Sequence, residues 1–260
     1  RSSVLRLGAL SAGHLCVDAY AMMIFPMVLH FGERFGLSEL AASSLAILST
    51  VATSMTQPAA AWWGDRGMPR WVALTGPAVA GIGAWMMLSA GKVGGLAGWL
   101  VVSGLGVSVL HPEGVLLAGE SLPGRRSLAI AVFMFWGTVG IAAGPFVIPR
   151  VVERFGEGGA PMVAVPAAVC TLVLLAAYWR ASSSSHGALS ARVSLRMAFA
   201  GRRRAIGLLM GVNTMRGMAM TGAALSLTWM AKSRGGDSVE AGAWVGVFLL
   251  AGGVGSLLCG

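Results

Sequence analysis

Two groups of ionisable residues lie inside long apolar stretches of this chain. His14 and Asp18 are four residues apart, so on a helix they share one face, one turn from each other. His111 and Glu113 flank Pro112 in another apolar stretch. An imidazole or a carboxylate inside a membrane-length helix is costly, and such residues mark proton or substrate paths. The two groups therefore predict proton binding within a membrane.

Each group also has a purely structural interpretation. His14 and Asp18 are expected to titrate as a pair, but a hydrogen bond between them would also serve only to fix two helices. On an undistorted helix, His111 and Glu113 would face roughly opposite sides. Pro112 removes a helix hydrogen bond, and the resulting bend is expected to bring both side chains toward a cavity. The alternative for this group is an intrahelical gate or a contact between helices.

Arg216 is a single cation in a third apolar stretch, at about the same depth as Asp18. Arginine stays charged, so within a membrane it needs a carboxylate, a carbonyl or an anionic ligand nearby. One interpretation is that Arg216 recognises an acidic group on a substrate. The other is a permanent ion pair with Asp18 or Glu113.

The composition indicates a polytopic helical membrane protein. The 260 residues are 56% hydrophobic and 11% charged, whereas about 25% of residues are charged in soluble domains. Although the net charge is +9, the basic residues lie mostly in alternate short loops, as in membrane proteins generally. We therefore expect a lipid bilayer and no nucleic acid as partner. The three cysteines have no metal or disulfide spacing, and no metal or cofactor is predicted.

Eight apolar segments, each near the roughly 20 residues that span a bilayer, predict an all-α membrane protein. They cover residues 7–31, 40–62, 71–90, 96–118, 127–149, 159–179, 205–230 and 239–260. The loop charges predict a multi-pass protein of the inner (plasma) membrane with a cytoplasmic N-terminus. We expect a six-helix bundle over 1–180, a basic cytoplasmic loop over 181–204 and a partial second bundle over 205–260. Both chain ends are expected to be cut from a longer protein.

The loop between the second and third segments, residues 62–71, reads WWGDRGMPRW. It resembles the inside-loop signature of the major facilitator superfamily at Asp65, Arg66, Gly67 and Arg70. Glycine permits a tight turn, and Asp65 is expected to cap the next helix or to pair with an arginine across the bundle. The resemblance implies a gate that closes the inside face in one state. The alternative is a plain charged turn.

A closer resemblance, over residues 8–149, is to the fosmidomycin-resistance-type drug efflux subfamily. It rests on matches in order at His14, Asp18, Pro26, Phe35 to Ser38, Ser54, Gln57, Pro58, His111 to Gly114, Gly124 to Arg126, and Phe133. Small residues that let helices approach and bend also resemble the glycine–proline signature of antiporters. These are Gly137, Gly140, Gly144 and Pro145.

The resemblance implies a major facilitator fold, here its first six-helix bundle and the first two helices of its second, monomeric when complete. It implies a proton-coupled efflux antiporter for a small amphiphilic or acidic compound, in which two bundles rock about a central site. We expect no enzyme, because no catalytic triad, metal spacing or nucleotide loop is found. The first rival is a proton symporter or uniporter for a sugar or organic acid. The second is a non-transporting membrane receptor or scaffold.

Overall fold

The structure is a computed structural model that describes residues 2–178 and 201–259, and every regular element in these ranges is helical. The helices are α1 (Ser2–Met22), α2 (Ile24–Phe35), α3 (Glu39–Gly64), α4 (Arg70–Leu74), α5 (Gly76–Leu88), α6 (Val93–Ser121), α7 (Arg126–Phe155), α8 (Ala160–Tyr178), α9 (Arg203–Ser233) and α10 (Ser238–Cys259). A 3-10 turn, Gly156–Gly159, precedes α8. The predicted all-α fold class is confirmed.

Two of the predicted segments are each divided into two helices. The first is interrupted at Met23, between α1 and α2. Pro26 has no N–H to offer the carbonyl of Met22 one turn earlier, so the break falls between these two residues. The third is interrupted at Thr75, two residues before Pro77, by the same cause.

Six helical segments in the described ranges are long and apolar enough to cross a membrane. They are Ser3–Phe35, Arg70–Leu88, Val93–Ser121, Arg126–Phe155, Ala160–Tyr178 and Ser238–Gly255. Helices α3 and α9 occupy the other two predicted positions, but their apolar character is lower. Serine and threonine along α3, and Asn213 and Arg216 in α9, account for this difference. Such polar helices are expected to face protein or a water-filled cavity rather than lipid.

Helix α1 lies at the centre of the first six segments, in contact with α6, α7 and α8. Its closest approach is to α7. A Cβ atom added at Gly140 would lie 2.2 Å from the carbonyl oxygen of Leu15, and one added at Gly144 would lie 2.0 Å from that of Ala19. No larger residue fits these positions without moving the backbones apart, so the glycines set the distance between α1 and α7.

Helices α9 and α10 pack on the first six segments rather than apart from them. Gly242 of α10 faces the carbonyl of Pro145 in α7, where an added Cβ would lie 2.1 Å from the oxygen. Helix α9 is attached by its C-terminal end. Its N-terminal half carries exposed apolar side chains, among them Leu208, Met210 and Met215.

The predicted central loop, residues 181–204, falls mostly outside the described residues. The structure describes only residues 201–204 of this loop. Gly201 and Arg202 form a turn, and α9 begins at Arg203.

Candidate functional site

His14, Asp18 and His111 meet where α1 crosses α6. Nε2 of His14 lies 3.2 Å from Oδ2 of Asp18, and Nε2 of His111 lies 3.1 Å from Oδ1 of the same carboxylate. The two Nε2 atoms are 3.3 Å apart, although the residues are 97 positions apart in the chain. We call these three residues the His–Asp–His cluster. The i,i+4 pair foreseen on α1 thus gains a second imidazole from α6.

The outward nitrogen of each imidazole is held by a backbone carbonyl. Nδ1 of His14 lies 2.8 Å from the oxygen of Phe133, and Nδ1 of His111 lies 2.7 Å from that of Val107. A carbonyl only accepts hydrogen bonds, so both Nδ1 atoms must carry hydrogen and donate it. In neutral rings both Nε2 atoms are then acceptors, and both face the carboxylate of Asp18.

Helix α7 closes the cluster from the side. The ring of Phe133 stacks on that of His14 with centroids 4.0 Å apart. Gly137, one turn further along α7, lies against the cluster itself. A Cβ atom there would lie 2.3 Å from Cε1 of His14 and 2.7 Å from Oδ2 of Asp18. Gly137 therefore leaves the space that the imidazole and the carboxylate occupy.

The cluster is buried but has an accessible edge. The side chains of His14 and Asp18 are 1% and 9% exposed, whereas that of His111 is 20% exposed. A buried carboxylate is stable only when hydrogen bonds or opposite charge compensate for the water it has lost. His111 thus supplies part of this compensation and also forms the side from which the cluster can be reached.

Glu113 belongs to a second site. Its Oε1 lies 3.4 Å from Nε of Arg70, the last residue of the loop signature, and Nη2 of Arg70 lies 3.3 Å from Oε2 of Glu120. The expectation that the bend at Pro112 brings His111 and Glu113 to one place is wrong. Helix α6 continues through Pro112, and residues two apart on a helix point to different sides.

The loop signature forms a turn at the end of α3. Gly67 has φ +94°, a conformation that favours glycine. The guanidinium of Arg66 lies 3.7 Å from the ring centroid of Trp62 and donates to the carbonyl of the same residue. Asp65 is exposed and ends α3, and the N-cap position of the next helix belongs to Pro69. The expectation that Asp65 caps that helix is wrong, and its carboxylate makes no ion pair within residues 2–178 and 201–259.

Arg216 lies apart from both sites. Its side chain is exposed on α9. The carboxylates of Asp18 and Glu113 are instead approached by imidazoles and by Arg70. In the part of the chain that the structure describes, no ion pair joins Arg216 to either carboxylate, so the permanent bridge is not formed here.

The glycine–proline residues predicted in the fifth segment are all placed on α7. Gly137, Gly140 and Gly144 face α1, and α7 continues through Pro145. Two contributors were not foreseen as site residues. Glu120 is the second partner of Arg70, and Phe133 supplies a carbonyl and a ring to His14. Glu120 lies seven residues after Glu113 on one helix, a spacing that places both on the same face.

An apolar cavity of about 560 Å³ lies between α1, α7 and α8. Its lining includes Leu15, Tyr20, Trp136 and Val163, and of the predicted site residues it touches only Gly144. Its lining includes none of His14, Asp18 and His111.

The family model described as Major Facilitator Superfamily matches residues 10–260. The chain belongs to the Major Facilitator Superfamily. The predicted family and fold are therefore confirmed, and the chain is a transporter-family member built of membrane helices.

Among curated proteins, the chain is similar to the Fosmidomycin resistance protein of Escherichia coli (strain K12). The identity is 27% over 186 residues, which cover 72% of this chain and 46% of that protein. It is also 26% identical over 140 residues to the MFS-type transporter YfnC of Bacillus subtilis (strain 168), covering 53% of this chain and 34% of that transporter. The chain thus spans less than half the length of these relatives.

Among solved structures, a peptide transporter POT in complex with alafosfalin superposes with a TM-score of 0.61 at 16% identity, covering 82% of this chain and 46% of that one. Tetrameric PepTSo2 superposes with a TM-score of 0.55 at 15% identity, covering 99% of this chain and 53% of that one. At these identities the likeness supports the fold alone.

Proposed function

We propose that this superfamily member is a proton-coupled antiporter that exports a small amphiphilic or acidic compound. One observation carries the proposal: three hydrogen-bond acceptors, Nε2 of His14, Nε2 of His111 and the carboxylate of Asp18, converge in a buried place. Acceptors that face one another repel, and a proton shared between them replaces that repulsion with a hydrogen bond. The cluster is therefore built to hold a proton that it can release.

The contacts between α9 and the first six segments support a rocking mechanism. Three polar contacts lie toward one end of the molecule: Thr228 to the carbonyl of Phe25, Trp229 to Ser43, and Lys232 to Glu33. With the N-terminus in the cytoplasm, this end faces outward. The exposed N-terminal half of α9 leaves the inward side without such contacts among the described residues. Breaking these outer contacts would open the outward side in turn.

The domain arrangement belongs to the same proposal. Residues 1–180 form the first bundle, 181–204 a cytoplasmic connection, and 205–260 the start of a second bundle in the plasma membrane. The substrate then binds between the bundles of a monomer, and the proton binds in the His–Asp–His cluster of the first bundle. Asp65, Arg66, Gly67 and Arg70 gate the inward side, as the loop signature implies.

Efflux of a compound related to fosmidomycin is supported by the name of the Escherichia coli relative and by the resemblance of residues 8–149. Arg216 is the candidate partner for an acidic group, because its exposed guanidinium needs an anion when it lies within a membrane. A symporter or uniporter would share this fold. Counterflow in vesicles with imposed pH gradients distinguishes the directions.

The test uses the protein extended to the length of its relatives, reconstituted in vesicles with fosmidomycin as the probe. Asp18→Asn keeps the shape of the carboxyl group but cannot release a proton. We expect it to abolish pH-driven transport while exchange of substrate without a pH gradient persists. Glu153→Gln removes an exposed carboxylate at the end of α7 and is the matched control. Unchanged substrate-linked proton flux in Asp18→Asn would remove this residue from the coupling path.

A further inference from the structure

The His–Asp–His cluster has the geometry of a metal site. Its donor atoms belong to the imidazole and carboxylate classes that zinc binds in proteins. One atom from each of the three residues can be chosen so that all lie within 4.8 Å of one another. The closest donor pairs are nearer still, at 3.1, 3.2 and 3.3 Å. Zinc–ligand bonds of 2.0–2.1 Å at tetrahedral angles place two ligands about 3.3 Å apart.

The surroundings of the two imidazoles match this geometry. Histidines that bind metals through one ring nitrogen donate the other N–H to a carbonyl or a carboxylate, which fixes the tautomer and the ring orientation. His14 and His111 both do so, through Phe133 and Val107. Both Nε2 lone pairs are therefore directed to one place before any ion arrives. Each of the two oxygens of Asp18 faces one of these nitrogens, so the carboxylate can bind through either or both.

We propose that His14, Asp18 and His111 bind a divalent transition-metal ion of the zinc class. The accessible edge at His111 leaves a fourth position for water. Stacking by Phe133 holds the ring of His14 in place, and the absence of a side chain at Gly137 leaves room for His14 and Asp18. The proposed ligand is a metal ion and not the proton of the proposed antiport. The metal site is inferred from the positions of the donor atoms alone.

A bound ion would fix α1 to α6 within the first bundle. It would also occupy the place of the shared proton. Zinc is therefore expected to inhibit transport of fosmidomycin by the extended protein. An excess of chelator, which removes free Zn²⁺, should relieve the inhibition.

Binding is measured on the purified extended protein in detergent, without any transport assay. Zn²⁺ is titrated by calorimetry, and Co²⁺ is added as a probe whose visible absorption bands report tetrahedral coordination. We expect one Zn²⁺ per chain and an intense Co²⁺ band. His111→Gln should weaken Zn²⁺ binding by at least about 10- to 100-fold, the loss seen when even a supporting partner of a metal ligand is removed.

His30→Gln is the matched control, because it removes a histidine of α2 that lies beside Phe31 and outside the cluster. It should leave binding unchanged. Asp18→Asn keeps the side-chain shape and should also weaken Zn²⁺ binding. It tests the metal site even if His111→Gln fails to fold. Equal Zn²⁺ affinity in the unaltered protein, His111→Gln and Asp18→Asn would overturn the metal site. Proton flux is recorded separately. If no metal site is found, the antiport proposal still stands, and if Asp18 is not in the proton path, the metal site still stands.

Discussion

Two buried carboxylates lie at α6: Glu113 belongs to this helix, and Asp18 of α1 packs against it. Groups of different chemistry compensate for the water that each carboxylate has lost. Asp18 is approached by the imidazoles of His14 and His111, whereas Glu113 is approached by the guanidinium of Arg70. An imidazole gains and loses a proton near neutral pH, but a guanidinium stays charged. The first site is therefore suited to exchanging a cation, and the second to holding an element in place.

The positions of the two sites agree with this division. The His–Asp–His cluster lies between α1, α6 and α7. The Arg70 site joins α6 to the beginning of α4, at the end of the loop signature. Replacing a titratable group of the first site should alter proton-linked transport. A change in the second should alter the stability of the fold.

The largest effect is expected when Arg70 is replaced by methionine. Breaking a buried ion pair by removing one partner costs about 3–5 kcal/mol, because the other charge stays uncompensated. Arg70→Met should therefore lower the free energy of unfolding by roughly this amount, measured by denaturation in mixed micelles. Glu113→Gln in the same chain should restore most of the loss.

Glu120→Gln is the control for the Arg70 site, since an exposed pair contributes about 0–1 kcal/mol. Glu120 is 57% exposed in its side chain. If Arg70→Met cost no more than Glu120→Gln, the contrast between the two carboxylate sites would fail.

A smaller loss is expected for Gly137→Ala. The added methyl group would overlap His14 and Asp18, and overpacking of this kind costs about 1–3 kcal/mol. The change should also separate the two Nε2 atoms and reduce proton-linked transport. Gly8→Ala is the control, because an added Cβ there meets nothing within 4 Å. Equal unfolding free energies for the two variants would contradict the close contact of α7 with the cluster.

The smallest effect is expected at Arg216, a guanidinium that belongs to neither carboxylate site. Arg216→Lys keeps the charge but loses the two-pronged geometry. It should weaken binding of acidic substrates by several-fold, about 1 kcal/mol, and that of neutral ones less. Competition binding to the extended protein measures both. Equal losses for acidic and neutral compounds would favour a structural role for Arg216.

Local patterns in the sequence were enough for the fold class and for two of the three residues of the cluster. Apolar segments of membrane length predicted helices at all eight positions. The spacing of His14 and Asp18 predicted a shared face, because residues four apart on a helix are neighbours whatever surrounds them. Polar composition explains why α3 and α9 are less apolar than the other six predicted segments.

The tertiary structure decided which distant residues meet. His111 lies 97 positions after His14 in the chain, yet it contacts Asp18 beside His14. Glu113, two residues after His111, contacts Arg70 instead. Which partner each finds depends on how α6 is rotated against its neighbours, and that rotation is set by close contacts such as Gly106 of α6 against the backbone of Ala80 in α5. No spacing rule for metal ligands links residues on two separate helices. The sequence therefore predicted a proton pair and no metal, whereas the packing of α1, α6 and α7 brings three donor atoms to one point.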